Sequence, residues 1–158
     1  MTRKLLLAVL TFYCLFVVAC KKENKNVAQD LFMGAFKNGG NWVAAPNADY
    51  FSGKDSLQII GFKAAGEETL QINLKFRGKG NYAVKQGQAH YYTTIGRDVV
   101  TGEYKLDTTN TNNVMVQNFD VYSNIMSGTF ELNFVKTYGG GPDKLSFSGG
   151  KFYIYVPD

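Results

Sequence analysis

The sequence predicts an all-β domain, an antiparallel β-sandwich of about nine or ten strands, behind a short N-terminal leader. From residue 31 onward apolar and polar residues alternate with a period of two, as they do in half-buried strands. Turn signals rich in glycine and asparagine separate these runs at intervals of roughly ten residues. No run after the leader repeats with a helical period. A closed or partly open β-barrel is the alternative, since alternation does not distinguish two packed sheets from one curled sheet.

The predicted strands follow one another along most of the chain. A first hairpin is expected around residues 38–41, because asparagine and glycine tolerate the positive φ of a tight turn. The clearest half-buried strand is 70–76, where Ile72 and Leu74 alternate with Gln71 and are expected in the core. Further strands are predicted at 57–62, 82–84, 88–95, 103–106, 114–122, 129–135 and 144–156.

A C-terminal hairpin is predicted between 129–135 and 144–156, because the connecting residues 138–143 contain three glycines and Pro142. The adjacent Gly149 and Gly150 indicate a bulge in its second strand. Tyr153 and Tyr155 fall on the face opposite to the core. The side chains expected to share one core are Phe130, Leu132, Phe134, Phe147, Phe152 and Ile154.

The first twenty residues, MTRKLLLAVLTFYCLFVVAC, have the layout of a secretion signal. Arg3 and Lys4 precede an apolar run at 5–19, and small residues close that run before a polar stretch. The run is about 15 residues long, which is shorter than the roughly 20 that a membrane-spanning helix needs. An exported protein is therefore expected, rather than one held by a transmembrane helix.

The end of the leader, VVAC, resembles the lipobox of bacterial lipoproteins. The resemblance implies a diacylglyceryl thioether on Cys20 and cleavage after Ala19, and two acyl chains hold a protein stably on a membrane. Residues 1–19 would then be the signal peptide, 20–30 the lipidated cysteine and a flexible tether, and 31–158 a single all-β domain. The expected location is the outer membrane, with the domain facing the periplasm or the cell surface.

Several short landmarks occur in an order that resembles the small β-rich lipoproteins of the Bacteroidota. They are FKNGGNW at 36–42, GNY at 80–82, SGTF at 127–130 and SGGKF at 148–152. The resemblance covers nearly the whole mature chain. That family has no assigned activity, so the resemblance implies a fold and a location and no chemistry.

Composition argues against several functional classes. Cys14 and Cys20 are the only cysteines and neither leaves a thiol in the folded domain, so no disulfide, thiolate nucleophile or cysteine metal site is expected. From residue 27 onward basic and acidic residues are equal in number, and nucleic-acid binding is not expected. His90 is the only histidine and is interpreted as a surface residue. The oxygen-rich loop 107–113 does not match an EF-hand, and no metal or cofactor is expected.

These features favour a non-catalytic binding or structural module with an unidentified ligand. Exposed tyrosines on a rigid sheet would suit a glycan or a protein ligand, and the candidates are Tyr153, Tyr155 and Tyr92. Cross-strand packing of these rings is the alternative. Two other functions remain open, a carboxylate-dependent hydrolase and a protein-contact module of an envelope complex. The acidic residues are scattered, with only Glu67 and Glu68 adjacent.

Replacing Cys20 by serine is expected to abolish both membrane attachment and cleavage after Ala19, because a serine oxygen does not form the lipid thioether. Mass spectrometry of the mature N-terminus, together with fractionation of membranes, checks this prediction. An unmodified Cys20 in the natural protein, or a mature chain that begins at another residue, would contradict it.

Overall fold

The computed structural model describes residues 30–65 and 67–157, which form ten antiparallel strands and one short 3₁₀ turn. The predicted lipidation and cleavage residues, Cys20 and Ala19, lie outside the described residues. No described helix is long and apolar enough to cross a membrane. The strands are β1 (Phe32–Lys37), β2 (Gly40–Phe51), β3 (Ser56–Lys63), β4 (Glu68–Lys75), β5 (Gly80–Ala83), β6 (Ala89–Ile95), β7 (Val99–Leu106), β8 (Asn113–Asp120), β9 (Ile125–Gly139) and β10 (Lys144–Tyr155).

All ten strands belong to one sheet that curls back on itself. The order is β10-β1-β2-β3-β4-β6-β7-β9-β8-β5, and an additional pairing of β10 with β9 closes a ring. β8 and β5 extend from β9 outside that ring. The predicted all-β class is confirmed. The ring-like shape, which is not a regular barrel, fits a sandwich or a partly open barrel.

β9 is the strand on which the closure depends. One of its edges pairs with β10 from Ile125 to Val135. Its other edge is divided, because the first half pairs with β8 up to Glu131 and the second half pairs with β7 from Phe134 onward. The sheet therefore branches at β9.

Aromatic side chains fill the seam where the β8–β5 branch meets the rest of the sheet. Among the described strands, β5 pairs only with β8. The Phe76 ring, just after β4, stacks on Tyr82 of β5 at 6.3 Å and meets Tyr50 and Phe119 edge-on at 5.8 and 5.5 Å. Packing between rings, rather than strand hydrogen bonds, closes this side of the sheet.

The core lies inside the ring and follows the predicted alternation. Ile72 and Leu74 are buried, as expected, and so is Trp42, whose ring meets Phe147 edge-on at 5.2 Å. Gly61 lies opposite this tryptophan, since a Cβ at that glycine would come within 2.8 Å of the indole ring. The absence of a side chain at Gly61 therefore leaves room for the Trp42 ring.

The predicted C-terminal hairpin is confirmed, since β9 and β10 pair antiparallel. Phe147 lies opposite Leu132 and Phe152 lies opposite Gly128. The register shifts between Phe147 and Gly150, which is the predicted bulge. The six side chains expected to share one core are all buried: Phe130, Leu132, Phe134, Phe147, Phe152 and Ile154.

Some predicted boundaries and burials need correction. β2 continues to Phe51, β7 begins at Val99, and β9 runs through Tyr138 to Gly139, so the connecting loop is shorter than predicted. Ile95 continues the alternation of the buried Ala89 and Tyr91 along β6, but it is exposed. Its pairing with Val99 forms the tip of the β6–β7 hairpin, past a register shift after Thr93.

The two ends of the ring differ in what they contain. One end, here called the entry end, is where the chain enters β1. There the start of β1 lies beside the end of β10, with Phe32 opposite Tyr153. At the far end β1 finishes at Lys37, β3 finishes at Lys63, and β4 begins at Glu68. Since inward positions alternate along each strand, these three charged residues continue inward-facing runs.

Truncating Leu74 to alanine is expected to lower the free energy of unfolding by roughly 2–5 kcal/mol, because its side chain is buried in the ring. Gln71, on the outer face of the same strand, is the matched control, and its truncation should change that free energy by at most about 0.5 kcal/mol. Denaturant unfolding measures both values. Equal effects would mean that the inward register of β4 is wrong.

Candidate functional site

The three tyrosines predicted to face a ligand do not form one row. Tyr153 lies on the outer face of β10, between Phe32 of β1 and Ser127 of β9. Tyr155 lies two residues further along that face and is exposed. Tyr92 lies on β6, which is separated from β10 by β9 and β7. The structure therefore brings Tyr153 and Tyr155 together and leaves Tyr92 elsewhere.

Tyr153 lines a cavity of about 380 Å³ on the outer face of β1, β10, β9 and β8. A second cavity of about 310 Å³ shares Thr129 and Lys151 with it and extends to Met115 and Glu131. We call the two together the outer groove. The residues that line its first cavity are Phe32, Gln117, Ser127, Gly128, Thr129, Lys151, Phe152 and Tyr153.

The shape of the outer groove follows from small residues and irregular pairing. Gly128, Gly149 and Gly150 contribute only backbone to its lining. The β8–β9 register shifts between Val116 and Asn118, so Gln117 is displaced beside the groove. A Cβ at Gly128 would lie 2.0 Å from the Met115 carbonyl oxygen, which shows how closely β8 approaches β9.

The outer groove combines ring faces with hydrogen-bonding groups. Phe32 and Tyr153 supply aromatic rings from neighbouring strands. Ser127 and Thr129 supply hydroxyl groups that each donate and accept, and Lys151 supplies an ammonium group. Such a surface both stacks on and hydrogen-bonds to a ligand that carries polar groups around an apolar ring.

The profile of a domain of unknown function, DUF6252, matches residues 29–157. The chain belongs to the DUF6252 family. No curated protein and no solved structure matches it. The DUF6252 match includes all ten strands and hence both sides of the outer groove, and it assigns neither an activity nor a ligand.

The two adjacent acidic residues of the DUF6252 domain have separate surroundings. Glu67 accepts hydrogen bonds from the backbone N–H groups of Arg97 and Gly96 at 2.8 and 3.1 Å, and from the Thr94 hydroxyl at 2.9 Å. These bonds, led by that from Arg97, hold the pKa of Glu67 below its ordinary value. Glu67 therefore fastens the β3–β4 turn to the β6–β7 hairpin and does not pair with Glu68.

Glu68 is buried at the far end of the ring within a group of four side chains, here called the Glu68 cluster. Its Oε2 accepts hydrogen bonds from Lys37 and from the Tyr91 hydroxyl, the latter at 2.7 Å. Its Oε1 accepts one from Lys63 at 3.1 Å. Lys37 also donates to the Tyr91 hydroxyl at 2.9 Å. Both carboxylate oxygens are thus satisfied by charged or hydroxyl donors.

Opposing effects act on the pKa values in the Glu68 cluster. Burial raises the pKa of Glu68, but hydrogen bonds from Lys37, Tyr91 and Lys63 outweigh it and leave that pKa below its ordinary value. Burial and the hydrogen bond to Glu68 raise the pKa of Tyr91. At neutral pH Glu68 is therefore a carboxylate and Tyr91 a neutral phenol. No sequence motif marks it, although the inward runs ending at Lys37 and Lys63 are visible in the alternation.

The oxygen-rich loop after β7 satisfies its own polar groups. Asp107 accepts hydrogen bonds from the N–H and hydroxyl of Thr109 at 3.0 and 2.6 Å and from the Asn110 amide at 2.9 Å. Asn112 donates to the carbonyls of Asp107 and Asn110. Within the described residues, no three histidine, cysteine or acidic side chains are grouped as metal ligands.

Replacing Glu68 by glutamine is expected to lower the free energy of unfolding at pH 7 by about 1–3 kcal/mol, because the lysines lose a charged acceptor. The folded pKa of Glu68 lies below its ordinary value of 4.5, so its charge stabilises the fold above that pH. The stability difference between the natural protein and Glu68→Gln should therefore hold from pH 7 to about 5 and shrink as pH falls below 4.5.

Denaturant unfolding across this pH range measures the difference. Glu103→Gln, which removes an exposed carboxylate from β7, serves as the control and should leave stability nearly unchanged. If the stability difference between the natural protein and Glu68→Gln stayed constant down to pH 3, the assignment of Glu68 as ionised in the folded protein would be wrong.

Proposed function

We propose that the DUF6252 domain is a lipid-anchored, non-catalytic binding module of the cell envelope, which holds a glycan in its outer groove. The observation that carries this proposal is the cavity of about 380 Å³ that joins Phe32 and Tyr153 to the side chains of Ser127, Thr129 and Lys151. Sugars present apolar ring faces edged by hydroxyl groups, and both features have partners in this cavity.

The form of the outer groove favours an extended ligand. Its two cavities share Thr129 and Lys151, so a chain of sugar units laid along β9 and β10 would contact both. One ammonium group, from Lys151, and one carboxylate, from Glu131, line the groove, so its charges balance. A neutral oligosaccharide therefore fits better than a strongly charged polymer.

The anchor part of the proposal rests on the leader. VVAC ending at Cys20 supports lipidation, and the likeness to Bacteroidota lipoproteins supports an outer-membrane location facing the periplasm or the cell surface. The polar residues 21–29 would join the lipid to β1 at the entry end. The outer groove lies on the outer face of the ring and begins at Phe32, the first residue of β1, so it would lie close to the attachment of the tether.

Replacing Tyr153 by alanine is expected to weaken oligosaccharide binding by about tenfold, since an aromatic stacking contact contributes about 0.5–1.5 kcal/mol beyond the area it buries. Isothermal titration with cello-, malto- and chito-oligosaccharides and with peptidoglycan fragments measures the affinity. Tyr138→Ala is the matched control, because Tyr138 is an exposed tyrosine of β9 that does not line the groove.

Equal binding by Tyr153→Ala and the natural protein would overturn the groove assignment. Absence of binding to every sugar, combined with capture of a defined envelope protein that Tyr153→Ala no longer captures, would identify the groove as a protein-contact surface. The exposed Phe36, whose ring lies beside Gly149 of the groove, would then belong to that contact.

A further inference from the structure

A second concave site lies at the far end of the ring, away from the outer groove. This far-end pocket has a volume of about 360 Å³ and is lined on one side by Lys37 and Tyr91 of the Glu68 cluster. The loop after β9 forms the opposite side, through Gly140, Gly141 and Pro142. None of its lining residues belongs to the outer groove. The remaining lining residues are Thr93, Thr101, Tyr104 and Leu145.

Lys37 presents a fixed positive charge to the far-end pocket. Its ammonium group donates to Glu68 and to the Tyr91 hydroxyl and lies 5.3 Å from the centre of the Tyr91 ring. An ammonium group has three N–H bonds, and these two acceptors use two of them. The side chain retains 25% of its exposure and lines the far-end pocket. Because Glu68 and Tyr91 already fix the side chain, binding costs little additional ordering.

The two lysines of the Glu68 cluster are not equivalent. Both pair with Glu68, but only Lys37 lines the far-end pocket. Glu68 does not line the pocket either, and its oxygens are occupied by its three donors. The Glu68 cluster contains two ammonium groups and one carboxylate, so its net charge is positive. Of the two lysines, Lys37 presents this charge to the pocket.

The other polar groups of the far-end pocket have unused acceptor capacity. The hydroxyls of Thr93 and Thr101 are hydrogen-bonded to each other at 2.9 Å, which uses one of their two donors. The Tyr104 hydroxyl donates to the Gly140 carbonyl at 3.3 Å and keeps its lone pairs for a ligand. Oxygen acceptors around one ammonium group suit a ligand that carries hydroxyl donors together with a negative charge.

The charged residues beside the far-end pocket do not change the net charge that it presents to a ligand. Lys136 pairs with Asp143 at 2.8 Å and donates to the Gly141 carbonyl at 2.9 Å. This pair is neutral as a unit, and neither side chain lines the pocket. Lys37 is therefore the charged side chain that a ligand in the pocket would meet.

We propose that the far-end pocket binds a small hydroxylated carboxylate, of the size of a sugar acid. The carboxylate accepts a hydrogen bond from Lys37, and the hydroxyls donate to the oxygens of Thr93, Thr101 and Tyr104. Ligand pockets in proteins span about 300–1,000 Å³, so a volume of about 360 Å³ limits the ligand to roughly one sugar unit. This proposal does not depend on the glycan proposed for the outer groove.

The test titrates the full-length protein in detergent with D-glucuronate, D-galacturonate and D-gluconate, against D-glucose and inorganic phosphate at equal ionic strength. Calorimetry gives affinities, and amide NMR shifts of Thr93, Thr101 and Gly140 locate the binding. At least one sugar acid is expected to bind more tightly than glucose and phosphate and to shift these amides.

Lys37→Met is expected to weaken the binding by at least about tenfold, and Lys63→Met by less than about threefold. Each variant removes one ammonium group from Glu68, so the pair separates the ligand contact from the loss of an ion pair. Thr101→Val provides a further variant in case Lys37→Met does not fold, and it should also weaken binding.

Equal losses in Lys37→Met and Lys63→Met would overturn the assignment of Lys37 as the ligand contact. Binding of glucose or phosphate as tightly as the sugar acids, or no binding by any of the three sugar acids, would overturn the ligand class. Thr93, Thr101 and Gly140 line the far-end pocket and not the outer groove, so their amide shifts make a failure of this proposal distinguishable from a failure of the outer-groove proposal.

Discussion

The divided pairing of β9 is the constraint on which the rest of the structure depends. One edge of this strand holds β10, and the other holds β8 and then β7. Glycines permit these close approaches, since a Cβ at Gly128 would lie 2.0 Å from the Met115 carbonyl oxygen and one at Gly139 would lie 2.0 Å from the Thr101 carbonyl oxygen. Without the close approach at Gly128, β8 would separate from β9 and the branch would open. Without the one at Gly139, β7 would separate from β9 and the ring would open.

The same alternation that builds the core produces both candidate sites. Inward positions are apolar through the middle of β1, β3 and β4 and become charged only at the far end, where Lys37, Lys63 and Glu68 meet. Outward positions on β9 carry the short side chains of Ser127 and Thr129 beside Tyr153, which leaves a groove. A shift of one residue in the β9–β10 register would exchange the faces of one of these strands and remove the outer groove.

Local patterns explain why much of the fold was predictable. Ile72 and Leu74 alternate with polar neighbours, and the C-terminal hairpin is marked by its own glycines, so each needs only nearby residues to be recognised. Other features depend on residues distant in sequence. Nothing near β5 indicates that it pairs with β8 rather than β6, and Lys37 and Glu68 are 31 residues apart. The outward face of Tyr153 was predictable, whereas the groove beside it depends on a register shift in β8.

The composition of the Glu68 cluster is difficult to explain by stability alone. Burying an ion pair removes two charges from water, and an apolar replacement of similar volume is often as stable or more so. A structural pair would need only one lysine for one glutamate, yet Lys37 and Lys63 both reach Glu68. Both lysines pair with Glu68, so the group carries one positive charge more than it needs for neutrality, and of the two only Lys37 lines the far-end pocket. The second lysine thus fits a binding role better than a purely structural one.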